Sequence, residues 1–124
     1  MTLLLAIATA IGAGAVGGVY LAFAVMVMPA LGRLPARDAT AAMQEINRRA
    51  ERGAFIGVFL FAALVALALG IVAITALPDG AAMLLLVGAA LSLASAVVTV
   101  VGNVPLNNRL EREGAPFWET YRSR

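Results

Sequence analysis

Apolar residues fall into three uninterrupted runs along this chain, and the polar residues are confined to the gaps between them. Residues 3–28, 54–77 and 81–104 contain no Asp, Glu, Lys or Arg. About 20 apolar residues at ~1.5 Å per residue cross the ~30 Å hydrocarbon core of a bilayer, so each run predicts a membrane-spanning helix. The first would reach ~39 Å, which predicts tilting or extension into the headgroups. It lacks a basic leader and exceeds the length of a signal-peptide core, so it reads as a span and not a cleaved segment. Pro78-Asp79-Gly80 predicts a tight turn that folds the second and third runs into an antiparallel hairpin.

Between the first two runs the pattern changes period. Pro29 and Pro35 bracket a short irregular stretch. In residues 38–52, Ala39, Ala42, Met43, Ile46 and Ala50 fall on one helical face, with Glu45, Arg48 and Arg52 opposite. An amphipathic helix is predicted there, either lying on the membrane surface and capping the bundle or serving as a solvated connector. Glu45 can pair with Arg49 at i,i+4. Residues 105–124 form a polar tail, with Pro105 expected to stop the third span.

Charge adds orientation. Five Arg lie in residues 29–53 and four in the tail, while the N-terminus and the Pro78–Gly80 turn carry none. The positive-inside rule then predicts a multi-pass plasma-membrane protein with its N-terminus outside and residues 29–53 and the tail cytoplasmic. Trp118 and Tyr121 are expected at the membrane interface. The composition, 62% hydrophobic and 13% charged, supports one membrane domain over residues 1–124. The basic balance reflects topology and implies no nucleic-acid partner.

The chain has no Cys, no His and no Lys. This removes disulfides, typical zinc and haem ligation, Schiff-base chemistry and every Ser/His or Cys/His nucleophile pair. No ionisable acid or base lies inside a span, which argues against a proton-coupled transporter. No metal and no cofactor is expected.

Two kinds of stripe remain. Ala6, Ala10, Gly14, Gly18 and Ala22 recur every four residues in the first span and predict close helix packing. Ala62, Ala66 and Gly70 repeat the rhythm in the second. In the third, Gly88, Ser92, Ser95, Ala96, Thr99 and Asn103 form a narrow polar stripe. Its Ser and Thr can bond to their own helix carbonyls. Asn103 and Asn107 flank Pro105, where they could cap freed carbonyls or line a polar pocket. Asn47 sits at the edge of the apolar face of the amphipathic helix, with Gln44 beyond it. Gln44, Asn47, Asn103 and Asn107, with Arg48 at the rim, form the candidate polar pocket at the cytoplasmic mouth.

These motifs carry a resemblance. Val27-Met28-Pro29-Ala30-Leu31, Met43-Gln44-Glu45-Ile46-Asn47, Asn103-Val104-Pro105-Leu106-Asn107 and Trp118-x-x-Tyr121 together resemble the anthrone oxygenase-like small integral membrane proteins, many known only as a domain of unknown function. The resemblance implies an all-α, polytopic membrane helical bundle of four helices. In some fungal relatives it implies oxidation of an anthrone to an anthraquinone by O2 with no obvious cofactor. Two departures stand out. Gly53-Ala54-Phe55 replaces an expected Asn-Pro, and the sequence stops at Arg124 where the family continues through a Trp/Asn/Arg stretch into a fourth helix. A further helix or a second copy of the chain is therefore expected to cover an open flank. Two functions follow from the residues and the resemblance. One is a cofactor-independent oxygenase acting on a hydrophobic phenolic or anthrone-like small molecule at the lipid bilayer. The other is a non-enzymatic membrane scaffold or binding subunit whose amides lock the bundle.

Overall fold

In a computed structural model of the protein, residues 1–76 and 78–124 are described. The elements are helical throughout these residues, with no strand among them. Helix α1 runs over Thr2–Ala22, passes through a π-helical turn at Phe23–Val27 and continues as Met28–Leu31. Helix α2 is Ala36–Arg52 and α3 is Ala54–Ala76. Helix α4 runs over Asp79–Val98, through a second π-helical turn at Thr99–Asn103, into Val104–Glu113. A 3₁₀ turn at Ala115–Phe117 leads to the short α5, Trp118–Arg122. Three of these helices are long and apolar enough to cross a membrane. The protein is a multi-pass, all-α membrane bundle. Leu77, expected as the last residue of the second span, lies outside the described residues. Pro78 caps α4 in an extended conformation, so this helix opens two residues before the expected start.

The prolines do not end their helices. A proline donates no hydrogen bond, and its ring clashes with the carbonyl four residues back. In lipid the freed groups must be satisfied locally, and widening one turn does so. Met28 N–H bonds the carbonyl of Phe23, five residues back, immediately before Pro29. Val104 N–H does the same with Thr99, immediately before Pro105. The helix expected to stop at Pro105 therefore runs on to Glu113. It ends at Gly114, whose φ of 67° suits glycine and whose N–H bonds Leu110 O at 3.0 Å.

Helix α3 lies in the middle of the membrane layer, packed along α4 on one side and α1 on the other. Helices α1 and α4 barely touch along their length, so a groove opens between them, floored by α3. The buried residues of α1 are Thr9, Gly12 and Val16, and Gly12 and Val16 meet α3 at Ala62 and Phe59; the stripe of every fourth residue does not make this contact. A Cβ at Gly12 would stand 2.9 Å from Ala62 Cβ, whereas one at Gly14 or Gly18 would meet nothing within 4 Å. The expected packing stripe thus faces outward at Ala10, Gly14 and Gly18, and the opposite face makes the contact. Ala62, Ala66 and Ala73 of α3 are buried as small-residue packing requires.

Beyond the spans, α2, the α4 extension and α5 form a compact headpiece. Leu31, Ala39, Met43, Leu110, Phe117 and Trp118 make its core. Trp118 is 1% exposed and Leu110 fully buried, so Trp118 anchors this core. Removal of such side chains from water is worth ~1.5–3 kcal/mol each, a drive that helices within lipid lack. Gly53 joins α2 to α3 in one residue; any Cβ there would approach Arg49 O at 2.5 Å.

Gly12→Leu should lower the thermal midpoint in detergent far more than Gly18→Leu, by the equivalent of ~1–3 kcal/mol for overpacking. Equal tolerance of the two substitutions would contradict the α1–α3 contact.

Candidate functional site

The groove between α1 and α4 holds two consecutive hollows. The deeper one, about 200 Å³, lies among Val16, Gly17, Phe59, Ala62, Ser92 and Ser95. The larger, about 610 Å³, lies at the headpiece end, where α2 and α5 roof the groove. Its walls are Val19, Tyr20 and Phe23 from α1 and Thr99, Asn103, Leu106 and Asn107 from α4. Phe55 forms its floor, and Met43, Ile46, Asn47 and Tyr121 form its roof. Both π-helical turns border it. The cavity is thus a product of two facts: α1 and α4 diverge across α3, and α4 survives Pro105 to give the headpiece a docking surface.

The predicted amides divide into two groups. Asn47, Asn103 and Asn107 line the one cavity. Gln44 and Arg48 do not; they fasten α2 to the α4 extension. Gln44 Nε2 donates to Leu110 O at 2.9 Å, and Arg48 Nη1 to Glu111 Oε1 at 2.7 Å. Glu45 bonds both Arg49, at 2.9 Å, and Arg48, at 3.3 Å, and these two hydrogen bonds hold its carboxyl below the ordinary range. Such exposed pairs are individually weak. Their role here is orientation, with the Gln44 bond fixing register.

Because the helix continues through Pro105, neither Asn103 nor Asn107 caps a helix end. Asn103 makes no capping hydrogen bond. Asn107 Oδ1 accepts from the Tyr121 hydroxyl at 2.8 Å. Asn47 is 8% exposed, and its Nδ2 is buried without a hydrogen-bond partner, an arrangement that costs ~1–3 kcal/mol when unrelieved. The Asn47 amide lies near enough to the Tyr121 oxygen to favour the phenolate somewhat, without making a complete hydrogen bond. Burial dominates and pushes the Tyr121 hydroxyl above its ordinary value. At the membrane end, Tyr20 and Thr99 hydrogen-bond through their hydroxyls, the one side-chain bridge between α1 and α4 among the described residues. As expected for the polar stripe, Ser92 and Thr99 also return bonds to their own helix, at 2.9 and 3.0 Å.

A model of the anthrone oxygenase family matches residues 50–122, more than half of the chain. The chain belongs to the anthrone oxygenase family. Within this anthrone oxygenase family member, the match covers α3, α4 and α5 and thus Asn103, Asn107 and Tyr121. It begins after Gln44, Asn47, Arg48 and Tyr20. No curated protein and no solved structure matches the chain.

Two cavity residues escaped the sequence reading. Tyr20 was legible as the one phenol within an apolar run, yet nothing local ties it to Thr99, 79 positions away. Tyr121 reads as an interfacial anchor; its ring instead stacks on Trp118 at 6.0 Å and 23°.

This stacking provides a pH test. The folded state favours the neutral Tyr121 phenol, so its folded-state pKa exceeds the unfolded one. The stability linked to it is complete below about pH 10 and is lost as pH rises through the folded value. Quenching of Trp118 fluorescence by the phenolate should therefore have its midpoint above pH 10, and higher still in Asn47→Leu, which removes the one group favouring the phenolate. A midpoint below pH 10, or a lower midpoint in Asn47→Leu, would contradict the geometry.

Proposed function

We propose that this protein is a membrane-bound oxygenase that oxidises a flat, hydrophobic phenolic substrate of the anthrone class in the headpiece-end cavity. The observation that carries the reading is the convergence of Asn47, Asn103 and Asn107 on a mostly apolar and aromatic cavity, with Arg122 and Arg124 also on its lining. Family membership supports the same reaction class. A volume of about 610 Å³ suits a small polycyclic molecule.

The chemistry asks little beyond binding and electrostatics. An anthrone ionises readily, its methylene proton leaving to water at the open mouth. The resulting anion is electron-rich enough to pass one electron to O2, and the radical pair joins as a carbon–oxygen bond. Loss of water then breaks the O–O bond and the remaining C–H bond and leaves the ketone. One anthrone and one O2 give one anthraquinone and one water, with no external reductant. The protein's part is to lower the energy of the anion with amide N–H donors in a water-poor site. Asn47 Nδ2, unpartnered in the free protein, and Asn107 Nδ2, whose carbonyl is held by Tyr121, are such donors. Gln44 and Arg48 act at one remove by latching α2 over the cavity.

In this reading the protein lies in the plasma membrane with the headpiece cytoplasmic, because the Arg residues gather there. The Gln44 and Arg48 latch equally fits a scaffold or binding subunit, the second function considered, and turnover separates the two.

Protein in lipid nanodiscs, supplied with an anthrone and ¹⁸O2, should place one label in the ketone and one in water. Asn47→Leu and Asn103→Leu should lower turnover by about 10²-fold while melting near the parent temperature. Oxidation no faster than in empty nanodiscs would overturn the enzyme reading and favour the scaffold. For topology, cysteine at Ala41 should be protected from an impermeant reagent in intact cells and cysteine at Gly80 labelled. The reverse pattern would invert the orientation.

A further inference from the structure

The hydroxyl protons at the membrane end of the cavity can be assigned one by one. Thr99 Oγ1 lies 3.0 Å from Ser95 O, which can only accept, so the single hydroxyl proton of Thr99 is committed there. The bond between the Tyr20 and Thr99 hydroxyls is then donated by Tyr20. With its proton used, the Tyr20 oxygen, on the cavity wall, can only accept. The opposite end has the other polarity. Tyr121 donates to Asn107 Oδ1, which leaves Asn107 Nδ2 as a donor, and Asn47 Nδ2 has no partner. Thr99, Asn103 and Asn107 recur at four-residue intervals along α4, so the two ends lie ~12 Å apart at ~1.5 Å per residue. That span matches the long axis of three linearly fused rings, and Asn103, ~6 Å along from Thr99, is level with the central ring that carries the carbonyl of an anthrone or anthraquinone.

From this polarity we infer that Tyr20 is the specificity-determining acceptor for a hydroxyl on the leading ring of the substrate, and that it sets which end of the molecule enters the groove first. The inference rests on the cavity being the site of an aromatic substrate, as argued above. A ligand with a donor hydroxyl at one end and a carbonyl or oxyanion further along gives Tyr20 a donor and the free amide N–H groups of Asn47 and Asn107 an acceptor. The same ligand reversed would set its carbonyl against the acceptor oxygen of Tyr20 with no proton between them, while its hydroxyl oxygen could still accept at the headpiece end, so the discrimination falls on Tyr20.

Binding can be read without turnover, because Trp118 stacks on Tyr121 at the cavity roof and is the only Trp in the chain. The probes are 2-hydroxyanthraquinone and 2-methoxyanthraquinone, which differ in the ability to donate, titrated into protein in nanodiscs with Trp118 quenching as the signal. The parent protein should prefer the hydroxy probe by about fivefold, the usual effect of one neutral hydrogen bond. Tyr20→Phe keeps the ring against Phe55, 6.4 Å between centroids, and should bring the ratio to about one. Thr99→Val frees the Tyr20 proton, makes Tyr20 a donor as well, and should reduce the ratio by strengthening the methoxy probe. A Tyr20→Phe protein that keeps the preference, or weakens both probes equally, would remove this role from Tyr20 and leave the pocket reading standing. No quenching of the parent by either probe would remove the pocket reading itself, and this inference with it.

Discussion

The passage of α4 through Pro105 is the constraint on which the rest depends. A proline within a lipid-embedded helix leaves a carbonyl without its donor and crowds it with a ring. The π-helical turn at Thr99–Asn103 resolves both problems by moving the hydrogen bond to the fifth residue. Had the helix ended there, Leu110 and Glu111 would have no fixed place. Gln44 and Arg48 would then lose the partners that hold α2 in position. The matching turn before Pro29 carries α1 to Leu31, which enters the same headpiece core. The same device thus appears twice, at the two helix segments that enclose the cavity.

Two driving forces divide the molecule. Within the spans, association relies on close approach of small residues, as at Gly12 against Ala62. In the headpiece, burial of Trp118, Phe117, Met43 and Leu110 draws on the hydrophobic effect. The cavity lies where the two regimes meet. Its floor and walls are membrane helices and its roof is a water-driven core. That boundary can hold three amides near apolar surface without closing the site to lipid-soluble molecules.

Much of the fold was legible because lipid imposes simple rules. Runs without charge gave the three spans, and the 3.6-residue period placed the amphipathic helix within two residues of its start. The errors came from two sources. Pro105 was read as a stop because local rules for proline are drawn from regular helices, and a π-helical turn leaves no mark in the pattern of apolar residues. The small-residue stripe reads as a contact because spacing does not specify rotation; the buried residues Thr9, Gly12 and Val16 lie on the opposite helical face. Asn47, Asn103 and Asn107 were found by chemistry, as amides at similar depth. Gln44 and Arg48 went to the headpiece latch because their partners, Leu110 and Glu111, lie on a helical extension that the sequence reading had removed.

If the groove between α1 and α4, closed by the headpiece, holds a planar aromatic molecule for oxidation, as proposed, a structure in lipid nanodiscs saturated with an anthraquinone product is the most direct measurement. Ring density is expected over Phe55, reaching from Tyr20 toward Asn107, with Asn47 Nδ2 directed at a ligand oxygen. Density for the product elsewhere, with the groove filled by a lipid chain or by a side chain from a neighbouring helix, would contradict it.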